Sequence, residues 1–256
     1  MARQRMRKSI LFFSFLLFPI TFNYFSPYLM IEGTLNRVVS ASLITWTFWF
    51  MASLLIGRAA CSYICPFGGL QMLKEAAAEK KLKEINYLRS VKYLLWLAWV
   101  GSVAFLAFRV GGYLRIDLLY NTENVVSLDS PASNITYFML IIIVLLPTLL
   151  GKMGFCHYFC PFGVFGILGT KIKDFLGYPS LRLQVSRDKC TECKKCDKSC
   201  PMSLQVSTMV SAGVASNTEC TLCGSCVDSC NQKAISYSFS SGKLPIPEDI
   251  APGSEF

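Results

Sequence analysis

Eight of the twelve cysteines fall into two runs of identical spacing, Cys190-x2-Cys193-x2-Cys196-x3-Cys200 and Cys220-x2-Cys223-x2-Cys226-x3-Cys230. Each cysteine lies 30 residues from its counterpart in the other run. Three thiolates on one tight loop can each reach a different iron of a cubane, and the fourth ligand must then come from elsewhere. In two-cluster ferredoxins the fourth cysteine of each run serves the other cluster. That rule assigns Cys190, Cys193, Cys196 and Cys230 to one [4Fe–4S] cluster, and Cys220, Cys223, Cys226 and Cys200 to a second. A zinc ribbon needs paired C-x2-C steps, not two matching four-cysteine runs. Reducing cytosolic conditions oppose a disulfide framework. Pro201 follows the first run, while Asn231 stands where the second would carry proline; this loosens a turn and removes no ligand.

The other four cysteines form a second repeat, Cys61-Ser62-Tyr63-Ile64-Cys65-Pro66-Phe67-Gly68 and Cys156-His157-Tyr158-Phe159-Cys160-Pro161-Phe162-Gly163. Residues i and i+4 share a helical face, so each pair is expected to present two thiols together. The proline disfavours helix in the residue before it and can start a new element. Cys61, Cys65, Cys156 and Cys160 fit a tetrathiolate metal or cluster site, a redox-active dithiol pair, or a structural turn with buried thiols. The sequence leaves these open. His157 is the chain's one histidine. It fits a proton relay, a metal ligand or a hydrogen-bonded interface residue, and its solitude opposes a haem held by paired histidines.

The elements that position these groups are strongly apolar. Hydrophobic residues make up 53% of the chain and charged residues 16%, against about 25% charged in soluble domains. Uncharged stretches cover Ser9–Ile31, Val38–Gly57, Tyr93–Phe108 and Ser130–Gly151. A spanning helix needs about 20 apolar residues, and Lys92 and Arg109 can snorkel to extend the short third stretch. Pro19 and Pro27 predict a kink in the first. Arg3, Arg5, Arg7 and Lys8 precede the first span, and Arg58, Lys74, Lys80, Lys81, Lys83, Arg89 and Lys92 lie between the second and third. The opposite side holds Arg37, Arg109 and Arg115. The positive-inside rule then puts both termini in the cytoplasm, so the net charge of +9 reads as topology and not as a nucleic-acid footprint.

The expected architecture is an all-α four-helix transmembrane domain over 1–177, built as two inverted-V repeats. A small α+β two-cluster ferredoxin domain over 178–240 follows it in the cytoplasm. Residues 241–256 form a tail whose Gly253–Phe256 reads as a cloning remnant. Lys74–Arg89 is expected to be a surface helix. Met202–Val206 and Ala234–Tyr237 are expected to be short strands over the clusters. Lys189, Lys194, Lys195 and Lys198 fit either a docking face for an acidic redox partner or anionic lipid, or plain solubility. Trp46, Trp49, Trp96 and Trp99 fit interfacial anchors, packing residues or a quinone site, and Val110–Asp129 fits a docking loop for a periplasmic subunit.

Taken together, the C-x3-C-P-F-G repeat, the four spans and the two-cluster module resemble the NapH-type membrane iron–sulfur proteins. Those are quinol dehydrogenase subunits associated with periplasmic nitrate reductase. More distantly the chain is similar to the membrane cores of the NosR regulators, the CcoG assembly factors and the methylamine-utilisation ferredoxin-type proteins. The likeness covers roughly residues 9–240 and favours the short NapH-type members. It implies a multi-pass protein of the bacterial inner membrane that oxidises quinol and passes electrons to another redox subunit. A maturation factor that reduces a metal or cofactor of another enzyme, and a redox-sensing regulator, are the competing expectations.

Overall fold

The computed structural model describes residues 2–75, 85–120, 131–214 and 216–242. Helix α1 (Ala2–Leu16) carries the basic N-terminal residues into the apolar segment and ends at Leu17, where the chain turns by 58° into α2 (Phe18–Thr21) and a 3-10 turn over Phe22–Phe25. Pro19, in the first turn of α2, has no N–H to continue the ladder of α1. Ser26 caps α3 (Pro27–Leu35), accepting the Leu29 N–H at 3.4 Å. The single kinked span expected over Ser9–Ile31 is thus three helical pieces.

Strand β1 (Val38–Ser40) leads into α4 (Ala41–Ile56), which is followed by α5 (Ala59–Tyr63) and α6 (Pro66–Glu75). Helix α7 (Asn86–Arg109) is, among the described residues, the one unbroken helix long and apolar enough to cross a membrane. Ile85 is extended where α7 begins, so the surface helix expected over Lys74–Arg89 does not run into it; residues 76–84 lie outside the described residues. Strand β2 (Arg115–Asp117) pairs in parallel with β1, Val38 opposite Arg115. This small ladder departs from the all-α expectation. It forms because Arg37, held at a φ of 59°, turns its carbonyl to the N–H of Leu114 at 2.8 Å. Of the expected docking loop, residues 121–130 lie outside the described residues.

Helix α8 (Pro131–Leu145) tightens into a 3-10 turn over Leu146–Leu150 at Pro147, and α9 (Gly154–Tyr158) and α10 (Phe162–Leu176) follow. An aromatic core joins these helices. The Trp46 ring stacks on Phe162 at 3.9 Å and 5°, Phe67 lies nearly parallel to Phe162 at 5.9 Å, and Trp99 meets Phe162 edge-on at 5.3 Å. Trp46, Trp49 and Trp99 are buried packing residues, not interfacial anchors. Outside this core Phe48, Leu94, Phe105, Phe108, Ile135 and Phe138 stand exposed.

The polar part is built on β3 (Ser180–Val185), with α11 (Lys195–Ser199), α12 (Val206–Ala212), α13 (Ser225–Ser229) and β4 (Ile235–Ser240) following. Strands β3 and β4 are antiparallel, Ser180 opposite Ser240 and Val185 opposite Ile235. The second expected strand is therefore present, but its partner is β3 and not Met202–Val206. Ser203 has a φ of 57° and Val206 opens α12, so that stretch cannot extend. The duplication shows in the backbone. Glu192 and Leu222, Lys194 and Gly224, and Ser203 and Lys233 are left-handed pairs one repeat apart. The Ser199 and Ser229 hydroxyls meet between α11 and α13 at 2.9 Å.

Candidate functional site: three groups of four thiols

Cys190, Cys193, Cys196 and Cys230 line one cavity of about 120 Å³, rimmed by Lys189, Lys194 and Lys195. Cys230 thus lines this cavity with three cysteines of the first run. Its sulfur accepts the Ala234 N–H at 3.3 Å. Cys193 is exposed, so this group lies at the surface of the polar part.

Cys200 is drawn to the second group by the reciprocal crossing: its thiol, with those of Cys220 and Cys223, acts electrostatically on Cys226. Burial, reinforced by neighbouring sulfurs, pushes Cys200 up to about 12. Burial pushes Cys220 up to about 11 despite a backbone N–H. Four such thiols cannot all ionise without a cationic group among them. Among the described residues no three Cys, His, Asp or Glu side chains are close enough to hold a single ion. A mononuclear tetrathiolate would bring its sulfurs to about 3.8 Å of one another. All-sulfur donor sets around wider spaces fit a polynuclear iron–sulfur core instead.

The third group joins the two C-x3-C-P repeats. Cys61, Cys65, Cys156 and Cys160 line a single small cavity together with Arg7, Trp46, Trp49, Arg58, Ser62, Met153, Phe162, Pro201, Met202 and Thr221. The expected shared helical face is corrected here. Cys61 and Cys156 lie on α5 and α9, but Cys65 and Cys160 sit past the ends of those helices, in the break before Pro66 and Pro161. The helix-break-helix turn, not the i, i+4 step, brings each pair to the cavity. His157 is buried beside it without lining it; its ring meets Tyr158 edge-on and its Nδ1 has no hydrogen-bond partner.

Sequence reasoning missed the polar residues around these thiols. Gln71 donates its Nε2–H to the Cys156 sulfur at 2.9 Å and accepts the Phe155 N–H at 3.2 Å, so a side chain of the first repeat holds the second. Glu219, next to Cys220, is buried and takes an ion pair from Arg58 at 2.7 Å and another from Lys92. Burial raises the Glu219 pKa, but Arg58 and Lys92 outweigh it and hold the carboxyl down at about 2. In the sequence Arg58 reads as a topology marker, and Lys92 as that and as a snorkelling end of the third stretch. Their signal is position: one stands three residues before Cys61, the other at the foot of an apolar helix.

The seam between apolar and polar parts runs along the second cysteine run. Ser62 donates to the Thr221 carbonyl at 2.8 Å, Gln4 to the Cys223 carbonyl at 3.0 Å, and Arg3 pairs with Asp228 at 2.7 Å. Against known proteins, the family described as a 4Fe-4S dicluster domain matches residues 189–235. The family described as a 4Fe-4S binding domain matches twice, at 40–83 and 135–179, one copy over each C-x3-C-P motif. The chain is 26% identical to YccM of Escherichia coli K12, a protein named for electron transport, over 79% of its own length and 57% of that protein. It is also 26% identical to NirI of Paracoccus denitrificans, over 77% of its own length and 27% of that protein. These matches support the resemblance to the NapH-type membrane iron–sulfur proteins. A relative in Methanocaldococcus jannaschii, named only as an uncharacterized protein, is 25% identical over 82% of both chains. No solved structure matches the chain. The two family models name 4Fe-4S binding and YccM is named for electron transport, which together support an electron-transfer role.

Proposed function

We propose that this protein is a multi-pass subunit of the bacterial inner membrane that takes electrons from quinol and passes them to a redox partner. Cys190, Cys193, Cys196 and Cys230 hold one [4Fe–4S] cluster in this reading, and Cys200, Cys220, Cys223 and Cys226 the other. Each cluster, when bound, supplies a one-electron carrier at a fixed position. The observation that carries the proposal is the seam. Gln4, Arg58 and Ser62, from the apolar part, grip the loop that presents the second set of thiols. A freely diffusing ferredoxin has no use for such anchorage.

The spans of this reading are α1–α3, α4, α7, and α8 with its 3-10 extension. The exposed apolar faces of these helices support it, and the lysine and arginine bias supports a cytoplasmic side for both termini. Quinol releases two electrons and two protons, and two one-electron carriers accept that pair singly. The test is anaerobic: the protein in lipid nanodiscs receives a menaquinol or ubiquinol analogue while cluster reduction is followed by EPR. Growth of reduced-cluster signals is expected. Clusters that dithionite reduces but neither quinol does would overturn the proposal. One observation favours a second reading, that of a maturation factor reducing a metal: the cavity walled by Cys61, Cys65, Cys156 and Cys160. Copper binding there, with no reduction by quinol, would select it.

A further inference from the structure

The geometry points to a seat for an anionic phospholipid, in the groove between α1, α6 and the cysteine loops of the polar part. The source of such a lipid rests on the membrane reading above; the groove stands on shape and charge.

The groove encloses about 1170 Å³, and two kinds of wall meet in it. Arg5, Arg7, Lys8 and Lys152 supply positive charge, while Phe12, Met72 and Leu73 supply apolar surface. Their order follows from α1. Residues three and four apart share a helix face, so Arg5, Lys8 and Phe12 stand in one row, with Phe12 about 6 Å beyond Lys8. From Ile10 onward the same helix exposes Ile10, Phe13 and Leu16. Charge thus precedes apolar surface along α1 as a phosphate headgroup precedes its acyl chains. Helix α6 comes alongside because Gly69 lacks a Cβ, which would collide with the Leu11 carbonyl. That approach brings Met72 and Leu73 into the wall.

The positive charge is not answered from within. Asp228 is the one carboxylate among the described residues that line the groove. It is already taken by Arg3 at 2.7 Å and by the Gln4 Nε2–H at 2.7 Å. Arg7 is 4% exposed and donates to the Gln4 side chain and the Ser62 carbonyl, with no carboxylate in either contact. A buried cation without a counter-charge is costly, so the groove favours an anion. Arg5 and Lys8 stand exposed at its mouth. A neutral quinol leaves these charges unanswered, and an acidic protein surface leaves the apolar wall bare. A phosphodiester carried on acyl chains meets both.

The remaining wall belongs to the polar part. Ser199 and Pro201 flank Cys200, and Ser225 and Ser229 precede Cys226 and Cys230. A lipid seated here touches α1, α6, α11 and α13 at once. It adds a bridge to the seam that Arg3 and Gln4 make.

The test is calorimetric titration of the anaerobically purified full chain, in neutral detergent, with dioctanoyl-phosphatidylglycerol. Saturable binding is expected, with dioctanoyl-phosphatidylcholine far weaker. Arg5→Gln/Lys8→Gln is expected to weaken binding about 25-fold, since each cation beside an anionic headgroup contributes about fivefold. Arg5→Lys/Lys8→Arg keeps the charge and is expected to bind as the wild type does. Lys171→Gln/Lys233→Gln removes as much charge from exposed positions outside the groove and is expected to leave the affinity unchanged. Equal affinity for the two lipids, equal losses in the two glutamine variants, or inorganic phosphate binding as tightly as the phosphatidylglycerol overturns the inference. Flotation with neutral vesicles reads the membrane assignment separately: a chain that stays in the aqueous phase fails that reading whatever the titration shows.

Discussion

The two C-x3-C-P-F-G repeats have nearly one backbone and two different surroundings. In each, the second cysteine's N–H bonds the carbonyl five residues back, Cys65 to Ala60 at 3.3 Å and Cys160 to Phe155 at 2.9 Å. Their phenylalanines, Phe67 and Phe162, lie nearly parallel. Three residues before the first cysteine, however, one repeat has Arg58 and the other Met153; six after the second, one has Gln71 and the other Gly166. The differences interlock. Gly166 leaves the space that the Arg58 stem fills, since a Cβ there would come within 2.7 Å of the Arg58 Cγ. Gln71 crosses the other way to hold Cys156. A duplicated unit has been made complementary to itself, with the polar groups on one copy and the room for them on the other.

Breaking the arginine side of that asymmetry has the largest expected effect. Arg58→Met leaves the buried Glu219 carboxylate with Lys92 as its one buried cation and should cost about 3 kcal/mol, read as a lower denaturant midpoint for the purified protein. The matching change in the other copy, Met153→Leu, should cost less than about 1.5 kcal/mol. Equal losses would erase the comparison. Filling the complementary space comes next: Gly166→Ala should cost about 1–3 kcal/mol by overpacking against Arg58. Gly101→Ala in α7, where a Cβ meets nothing within 4 Å, should instead stabilise by about 0.5–1 kcal/mol.

The repeats are visible in the sequence because cysteine, proline and glycine recur at fixed steps. The ferredoxin thiols are visible for the same reason, including the crossing of Cys200 and Cys230, which is a rule of the motif. The complementarity of the two C-x3-C-P repeats is not visible. Nothing in the local sequence of Arg58 names Glu219 as its partner 161 residues away, and a buried arginine near an apolar stretch looks like any positive-inside charge. Strand β3 escapes a motif-centred reading although Leu181, Leu183 and Val185 alternate with polar residues. It precedes the first cysteine run, and its pairing partner β4 lies beyond the second. The break at Leu17 is foreshadowed by Pro19 as a kink, but its size depends on Phe18 turning in to meet Phe67 at 5.1 Å, a tertiary contact.

Smaller effects sharpen the picture. Gln71→Ala leaves the buried Phe155 N–H without its acceptor, a loss of about 1–3 kcal/mol, and thermal unfolding should report it in both repeats at once. The smallest concerns His157, the one motif residue with no like counterpart, Ser62 holding the equivalent place. Burial, with Lys92, Arg89 and Arg58 adding to it against Glu219, lowers its pKa to about 4. The unfolded chain then binds the extra proton, so stability falls as the pH drops from 6.5 toward 4. His157→Gln should flatten that part of the denaturation profile while leaving stability above pH 7 nearly unchanged.

The grip of Ser62 and Gln4 on the backbone of the second cysteine loop has a kinetic corollary. A carrier and its neighbour that belong to one folded body do not have to find each other by diffusion. In the proposed function, passage between the helices and the cysteine loop is then unimolecular, indifferent to protein concentration. Only the meetings with the proposed quinol donor and the proposed acceptor should respond to dilution or crowding.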